Sequence, residues 1–128
     1  MHHQFPVSTK AALFNIDKSK VLLIGDDKGK DNWGLPGGHM QSGETPDQAI
    51  RRELFEECSV KPKDLRQCGF FMHRRGKIVL AYTGTVKDET VCSSQDEPEG
   101  QPKWLTKEQF DEIDIYPGYR QVVLDNWK

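Results

Sequence analysis

Apolar and polar stretches alternate along the first part of the chain and divide it into strand-like segments. The apolar runs Val7 to Ile16 and Val21 to Gly25 flank the polar turn Asp17-Lys18-Ser19-Lys20, so we predict two strands joined by this turn. The second run is continuously apolar, as expected of a buried strand. A polar loop over Asp26 to Asn32 is then expected to lead into a short strand over Trp33 to Pro36.

The middle of the chain predicts a hairpin. The segments Asp64 to Arg74 and Lys77 to Val86 flank the turn signal Arg75-Gly76, which favours an antiparallel pair of strands. A polar loop is expected over residues 87–102, because acidic, Ser, Gly and Pro residues dominate there. A short strand at Lys103 to Leu105 follows.

Two helices are predicted near the end of the chain. The first begins after Thr106, where Gln109 completes a capping box. The second begins at Pro117 and runs to about Asn126. Strands that alternate with helices in one small chain predict the α/β class, with a mixed sheet between helices.

The most clearly marked helix lies between the first strands and the hairpin. Thr45 can cap its start, Gln48 completes a capping box, and Pro46 suits the first helical position. The stripe of this helix that can face a core consists of Ile50, Leu54 and Cys58.

Three glutamates occupy another side of the same helix. Glu53, Glu56 and Glu57 fall within an arc of roughly 100° around the helix axis. Like charges three and four positions apart repel each other, so a hard divalent cation would relieve their crowding. A solvated acidic face is the alternative interpretation.

Length and charge narrow the class of protein. The 128 residues predict a single domain over positions 1–128. The net charge of −2 provides no general attraction for an extended nucleic acid. No apolar segment approaches the roughly eighteen residues of a membrane span, and residues 1–6 do not resemble a signal peptide. Together with three cysteines that lack paired spacing, this favours a cytoplasmic protein.

A motif connects the glutamate helix to the glycines that precede it. Five residues separate Gly38 from Glu44, and seven more separate Glu44 from the pair Arg52-Glu53. Continued by the other two glutamates, this spacing closely resembles the Nudix box. The last glycine of the box is Ser59 here, where a helix usually ends through a left-handed residue. We expect this departure to cost on the order of 1 kcal/mol and to leave the carboxylates intact.

The resemblance implies a Nudix α/β/α sandwich that hydrolyses a nucleoside diphosphate linked to another moiety. Mg²⁺ or Mn²⁺ is the implied cofactor, because oxygen ligands select hard cations. By resemblance, Glu56 and Glu57 are the principal metal ligands, and the Gly37 carbonyl can add another. Glu53 is implied as a ligand or as the base that activates water, with Arg52 orienting it through a charge-assisted bond.

The acidic loop before Trp104 resembles the corresponding loop of MutT-type nucleotide pyrophosphohydrolases. Its Glu-Gly-Gln-Pro sequence makes Glu99 the implied further metal ligand or base, with Glu97 in reserve. A solvated acidic loop is the alternative. The second predicted strand lacks the arginine that many relatives use for phosphates, so Lys28 or Lys30 is expected to substitute unless the metal carries more of that binding.

The resemblance leans towards a (d)NTP, including oxidised forms, as the substrate, with a nucleoside monophosphate and pyrophosphate as the products. Tyr116, Tyr119 and Phe71 are candidates for contact with the base, and burial in the core is their alternative role. Hydrolysis of ADP-ribose or a nucleotide sugar is the second hypothesis, and a non-catalytic nucleotide sensor is the hypothesis from another class. The expected partner is a small nucleotide, and the expected assembly is a monomer or homodimer.

Overall fold

The computed structural model describes residues 6–25, 32–91 and 100–128 of the chain. The strands are β1 (Val7–Asn15), β2 (Lys20–Gly25), β3 (Trp33–Gly34), β4 (Gly37–His39), β5 (Lys63–Met72), β6 (Ile78–Val86) and β7 (Gln101–Thr106). The helices are α1 (Pro46–Cys58), α2 (Lys107–Glu112) and α3 (Pro117–Asn126). Within these three ranges, no helix has the length and apolar character needed to cross a bilayer.

One mixed sheet contains the seven described strands, with β1 at its centre. On one side β1 runs parallel to β6, from Val7 opposite Ile78 to Asn15 opposite Val86. On its other side β1 pairs with β4 near its beginning and with β2 near its end, both antiparallel. The outer pairs β5–β6, β2–β3 and β2–β7 are also antiparallel. The central strand therefore connects every part of the sheet.

Two buried apolar layers cover opposite faces of this sheet. On one face, Leu54 of α1 packs in a cluster with Leu13 of β1. On the other face, Val123 of α3 packs in a cluster with Phe14 of β1. Successive side chains of a strand point to opposite faces, so β1 contributes to both layers. The predicted α/β/α sandwich is confirmed.

Both ends of α1 have the predicted local geometry. The Thr45 hydroxyl accepts a hydrogen bond from the Gln48 N–H at 3.2 Å, and the Gln48 side chain accepts one from the Thr45 N–H at 2.9 Å. Ser59 ends the helix in the left-handed region, with φ 60° and ψ 34°, and its N–H donates to the carbonyls of Leu54 and Phe55. Both the capping box and the left-handed exit are confirmed.

Most predicted strands agree with the structure to within two residues at each end, and three places show how pairing sets the strands. Residues Gly37–His39 form strand β4, which the sequence pattern did not predict, because their partner is the distant strand β1. The strand predicted over Trp33 to Pro36 is limited to Trp33–Gly34. Strand β7 begins at Gln101, inside the predicted polar loop, because it pairs with β2 along its whole length. For β4 and β7, a pairing partner remote in sequence sets the strand.

The left-handed Ser59 gives a first testable prediction, for stability. Replacing Ser59 with Gly should raise the free energy of unfolding by about 0.5–1 kcal/mol, because glycine adopts this conformation without the penalty of a Cβ. Denaturant unfolding would measure the change. Ser59→Ala is the matched control, since it removes the hydroxyl but keeps the Cβ, and it should not stabilise the protein. Equal effects of both substitutions would contradict the backbone explanation.

Candidate active site

The site forms where β4 meets the carboxyl-terminal half of α1. Strand β4 pairs with β1 so that Gly37 lies opposite Lys10 and Gly38 lies opposite Thr9. The Gly37 N–H donates to the Glu57 carboxylate at 2.8 Å. This charge-assisted hydrogen bond holds the backbone of β4 against the acidic face of α1.

The two glycines allow an unusually close approach at this junction. Gly37 has φ 137°, and a Cβ there would lie 2.0 Å from the Thr9 carbonyl oxygen. A Cβ on Gly38 would lie 2.5–2.7 Å from the Glu53 carboxylate atoms. Side chains at these positions would clash with β1 in the first case and displace Glu53 in the second. The glycines before the helix are therefore part of the site's shape.

Arg52 is the centre of the acidic network. Its guanidinium binds the Glu44 carboxylate through two contacts, from Nε at 2.6 Å and from Nη2 at 3.1 Å. Its Nη1 donates to Glu53 at 2.9 Å and to Glu56 at 3.2 Å. Nη2 also donates to the His39 carbonyl at 3.2 Å, which ties the network to β4. The contact proposed between Arg52 and Glu53 is present, together with contacts to three further residues, Glu44, Glu56 and His39, that were not foreseen.

The same network has consequences for protonation. The hydrogen bond that the Glu44 carboxylate accepts from Arg52 is the main reason that the pKa of Glu44 is below its ordinary value. The hydrogen bond to Glu44 is likewise the main reason that the pKa of Arg52 is raised. Both groups therefore remain charged at neutral pH. Glu44 serves as the brace that anchors Arg52, and Arg52 in turn holds two carboxylates of the helix.

A cavity of about 450 Å³ is lined both by carboxylates of the helix and by two lysines. Lys10 and Lys77, which form its basic wall, share this lining with Glu53, Glu56 and Glu57. The Lys10 ammonium donates to the Gly37 carbonyl at 3.3 Å. Burial is the main cause that lowers the pKa of Lys77, and the nearby charge of Lys10 lowers it further. Two cations held close together on this wall favour an anionic ligand between the walls.

Sequence reasoning missed this basic wall. Lys10 interrupts an otherwise largely apolar strand, and Ser8 precedes it by two positions on the same strand face. Ser8 also lines the cavity, and it is only 1% exposed. Among the described residues its hydroxyl has no hydrogen-bond partner. Polar residues at every second position of a buried strand indicate that one face of the strand lines a polar site. This pattern could have predicted the basic side of the cavity.

The acidic wall of the cavity consists of Glu53, Glu56 and Glu57, and its chemistry fits a hard divalent cation. Carboxylate and carbonyl oxygens are the ligands that Mg²⁺ and Mn²⁺ prefer. One guanidinium offsets only part of the charge of Glu44, Glu53, Glu56 and Glu57. Within residues 6–25, 32–91 and 100–128, no three acidic, His or Cys side chains converge in a ready-made metal cage. Mg²⁺ is usually held by one or two carboxylates together with substrate phosphates, so a half-site of this kind suits it.

The predicted aromatic residues cluster beside the basic wall. The rings of Phe71 and Tyr116 stack at 6.3 Å, and Tyr119 contacts both. His73 stacks on Tyr116 at 4.2 Å, and the Arg74 guanidinium lies 4.6 Å from the same ring. Burial raises the pKa of Tyr119 to about 12, so this hydroxyl stays protonated. The three candidates thus lie together, with Tyr119 buried and Phe71 and Tyr116 partly accessible.

A groove of about 590 Å³ extends from this cluster between β5 and α3. Phe71 and Tyr116 line one part of it, and Gly69 and Ala81 are also in its wall. The pairing register places Gly69, Ala81, Lys10 and Gly37 side by side on four neighbouring strands. Three strand spacings of about 4.8 Å separate the ends of this row, about 14 Å in all. The groove and the charged cavity therefore adjoin on one face of the sheet.

Two of the predicted site residues lie in parts of the chain that the structure does not describe. Lys28, proposed for phosphate binding, and Glu99, proposed as metal ligand or base, lie outside the described residues, as do their reserves Lys30 and Glu97. The other candidates form two neighbouring groups. Gly37, Arg52, Glu53, Glu56 and Glu57 surround the charged cavity, and Phe71, Tyr116 and Tyr119 form the aromatic cluster.

Comparison with known proteins identifies the fold and the motif together. The sequence model of the NUDIX domain matches residues 5–125. The chain belongs to the Nudix hydrolase family. The predicted family membership is confirmed, and residues of the Nudix box line the cavity between β4 and α1.

Similar proteins carry a range of names. Diphosphoinositol polyphosphate phosphohydrolase 3-alpha of Mus musculus is 38% identical over 77 residues, covering 56% of this chain and 47% of the relative. Diphosphoinositol polyphosphate phosphohydrolase 2 of Homo sapiens is 37% identical over 76 residues, covering 56% and 42%. The matches thus span less than half the length of these curated relatives.

Solved Nudix structures share the fold at low identity. The NUDIX domain of Shewanella oneidensis NrtR, solved with ADP ribose, has a TM-score of 0.81 at 22% identity. That alignment covers 96% of this chain and 86% of the other. The mutator MutT protein of Bacillus halodurans has a TM-score of 0.74 at 22% identity, covering 94% and 80%. These likenesses establish the architecture.

The contact between Gly38 and Glu53 gives a second prediction. Gly38→Ala should displace the flexible Glu53 side chain without disturbing the fold, so Mn²⁺ affinity should fall about tenfold or more while the unfolding midpoint stays unchanged. A Mn²⁺ titration and a thermal melt would measure the two effects. Gly34→Ala is the matched control, because a Cβ there meets nothing within 4 Å. Unchanged Mn²⁺ affinity in Gly38→Ala would contradict the role given to this glycine.

Proposed function

We propose that the protein is a divalent-metal-dependent pyrophosphohydrolase that converts a (d)NTP, including oxidised forms, to a nucleoside monophosphate and pyrophosphate. The observation that carries this proposal is the arrangement of the two walls. Carboxylates suited to cations and the lysines Lys10 and Lys77 line one cavity, and an apolar groove adjoins it. A nucleotide combines the two features that such a site would bind, a polyphosphate and a flat ring system.

In this proposal each residue of the site has a separate role in the hydrolysis of the phosphoanhydride bond. Glu56 and Glu57 would hold the cation, with the Gly37 carbonyl as a further oxygen ligand. Bound there, Mg²⁺ or Mn²⁺ would neutralise phosphate charge and acidify the attacking water. Arg52 keeps Glu53 in place, and Glu53 or Glu99 accepts the proton of that water. The water oxygen bonds to one phosphorus while the bridging bond to the neighbouring phosphate breaks, and pyrophosphate leaves.

Lys10 and Lys77 supply the remaining phosphate contacts in this proposal. They take the role first expected of Lys28, which lies beyond the described residues. The row from Gly37 through Lys10 and Ala81 to Gly69 lets one extended nucleotide reach from the acidic wall into the groove. The base then lies against the Phe71 side of the groove. We further propose a cytoplasmic setting, on the sequence grounds given above.

A second candidate substrate class is diphosphoinositol polyphosphates. The curated relatives described above carry that name, and the basic hairpin beside the cavity favours it. Arg74, Arg75 and Lys77 lie near His73 and contribute with Lys10 to lowering its pKa, although burial is the larger cause. A highly phosphorylated ring would use this charge and would leave the apolar groove empty. ADP-ribose and nucleotide sugars would use the groove but release two monophosphates.

Catalysis by the acidic wall is tested with Glu57→Gln. The glutamine keeps an oxygen that can accept the Gly37 N–H, so the fold should survive, but the carboxylate charge is lost. We expect Mg²⁺-dependent pyrophosphate release to fall by more than the roughly 10- to 100-fold effect typical of residues that support a metal ligand. Glu112→Gln, an exposed position on α2, is the control and should retain activity. Full activity of Glu57→Gln would exclude the proposed mechanism, whereas tight nucleotide binding without product in either protein would indicate a sensor.

The substrate class is tested by filling the groove. Leucine at Gly69 enters open space, because a Cβ there meets nothing within 4 Å, and it should block a base while leaving the phosphate cavity intact. We expect Gly69→Leu to lower kcat/KM for NTPs about tenfold or more. Gln67→Leu, exposed on the same strand and outside the groove, is the control.

The same variants should be assayed with ADP-ribose and a diphosphoinositol polyphosphate, with products identified in each case. Hydrolysis of the diphosphoinositol polyphosphate that is unaffected by Gly69→Leu, together with little activity on NTPs, would favour the second candidate. Release of two monophosphates from ADP-ribose with no pyrophosphate from NTPs would favour the nucleotide-sugar class.

A further inference from the structure

Ser8 of β1 carries a buried hydroxyl group that the fold itself does not use. The residue is 1% exposed, and within the described part of the chain its hydroxyl is the one buried side-chain oxygen or nitrogen without a hydrogen-bond partner. The buried hydroxyl of Thr83, by contrast, donates to the Ala12 carbonyl at 2.9 Å. Burying a hydroxyl without a partner is unfavourable, so the fold alone does not explain a serine at this position.

The position of Ser8 places it beside the two lysines of the charged cavity. Lys10 is two positions further along β1, so its side chain points to the same face of the sheet, with the two Cα atoms about 6.6 Å apart. Lys77 directly precedes β6, and in that strand Val79 lies opposite Ser8. All three polar residues line the cavity, and Ser8 is the most buried of them. Its side chain therefore forms part of the inner surface of the cavity on the basic side.

The chemistry of these three side chains favours an anion that carries several oxygen atoms. A lysine ammonium group only donates hydrogen bonds, and the serine hydroxyl contributes one O–H donor. A water molecule could accept from the hydroxyl but would leave both positive charges uncompensated. A carboxylate has two oxygens for three donors, whereas a phosphoryl group has three strong acceptor oxygens. A phosphoryl group therefore matches both the charge and the number of donors.

We propose that Ser8 is a phosphate-binding residue, whose hydroxyl donates a hydrogen bond to a phosphoryl oxygen of the ligand that Lys10 and Lys77 also contact. Ser8 holds the phosphate and is not a ligand of the cation. This role rests on the proposed function, because it takes the charged cavity to be the site of the phosphates. It applies to a nucleotide and to a diphosphoinositol polyphosphate alike, since both carry a diphosphate group.

Ser8→Ala tests this role by removing only the hydroxyl group. Because that hydroxyl has no partner in the fold, the free energy of unfolding, measured with denaturant in the absence of phosphate, should not fall. The affinity for inorganic pyrophosphate, measured by calorimetric titration at a fixed Mg²⁺ concentration, should fall about tenfold or more, as for a lost hydrogen bond to a charged group. The affinity for Mn²⁺ without phosphate should stay unchanged.

Thr83→Val is the matched control. It removes a buried hydroxyl that does have a partner, the Ala12 carbonyl, and Thr83 is not part of the lining of the cavity. This substitution should therefore lower the free energy of unfolding and leave the affinity for pyrophosphate unchanged. Ser8→Ala is expected to do the reverse, which separates binding of the ligand from support of the fold.

Hydrolysis of an NTP provides a second measurement. In Ser8→Ala, kcat/KM should fall about tenfold or more, and the change should lie mainly in KM. The reason is that a hydroxyl which binds phosphate equally in the ground state and the transition state contributes to binding and little to kcat.

Unchanged pyrophosphate affinity in Ser8→Ala would overturn the role of Ser8, whatever its KM, and would leave NTP hydrolysis standing. A lower free energy of unfolding, or a parallel loss of Mn²⁺ affinity, would assign the hydroxyl to the fold or to the metal site and would also overturn it. A wild-type protein that hydrolyses no NTP but binds pyrophosphate more tightly than Ser8→Ala does would refute the proposed substrate and uphold the phosphate site. Absence of pyrophosphate binding by the wild type would overturn that site.

Discussion

Repulsion among neighbouring carboxylates is the force that this site has to balance. Arg52 balances part of it by contacting Glu44, Glu53 and Glu56 with one guanidinium. Because one cation cannot neutralise so many anions, the acidic wall keeps a negative charge, and the lysines across the cavity keep a positive one. The acidic and basic side chains line the same cavity and are complementary in sign. A polyphosphate with bound divalent cations would place the cations against the carboxylates and the phosphate oxygens against the lysines.

The parts of the site that local sequence determines were predictable. Thr45, Pro46 and Gln48 mark the start of α1 through interactions within four residues, and the spacing of the glutamates follows from helical periodicity alone. The αL exit at Ser59 is of the same kind, because a helix end imposes its own backbone geometry. The Nudix box therefore identifies both the helix and the family from a single segment.

The parts that depend on remote pairing were not predictable in this way. Strand β4 exists because Gly37 and Gly38 lie against β1, and no local pattern distinguishes such a strand from a loop. Lys10 was not predicted as a site residue, because the role of a lysine in an apolar strand depends on which residues of other elements lie beside it. The groove is likewise a product of two elements, β5 and α3, whose facing residues are separated by dozens of positions. Sequence periodicity describes one element at a time, whereas a cavity belongs to several.

The central position of β1 has a consequence for how the protein acquires its site. The paired residues of β1 and β4 are 27 to 31 positions apart in the sequence, whereas those of β1 and β6 are 71 positions apart. Closing a longer loop costs more chain entropy, and parallel pairing of distant strands is slow. Growing from its amino terminus, the chain can bring the acidic helix against β4 before β6 has been synthesised. We therefore expect the binding surface to be completed late in folding, when the parallel β1–β6 pairing brings Lys77 and the groove alongside the acidic helix face.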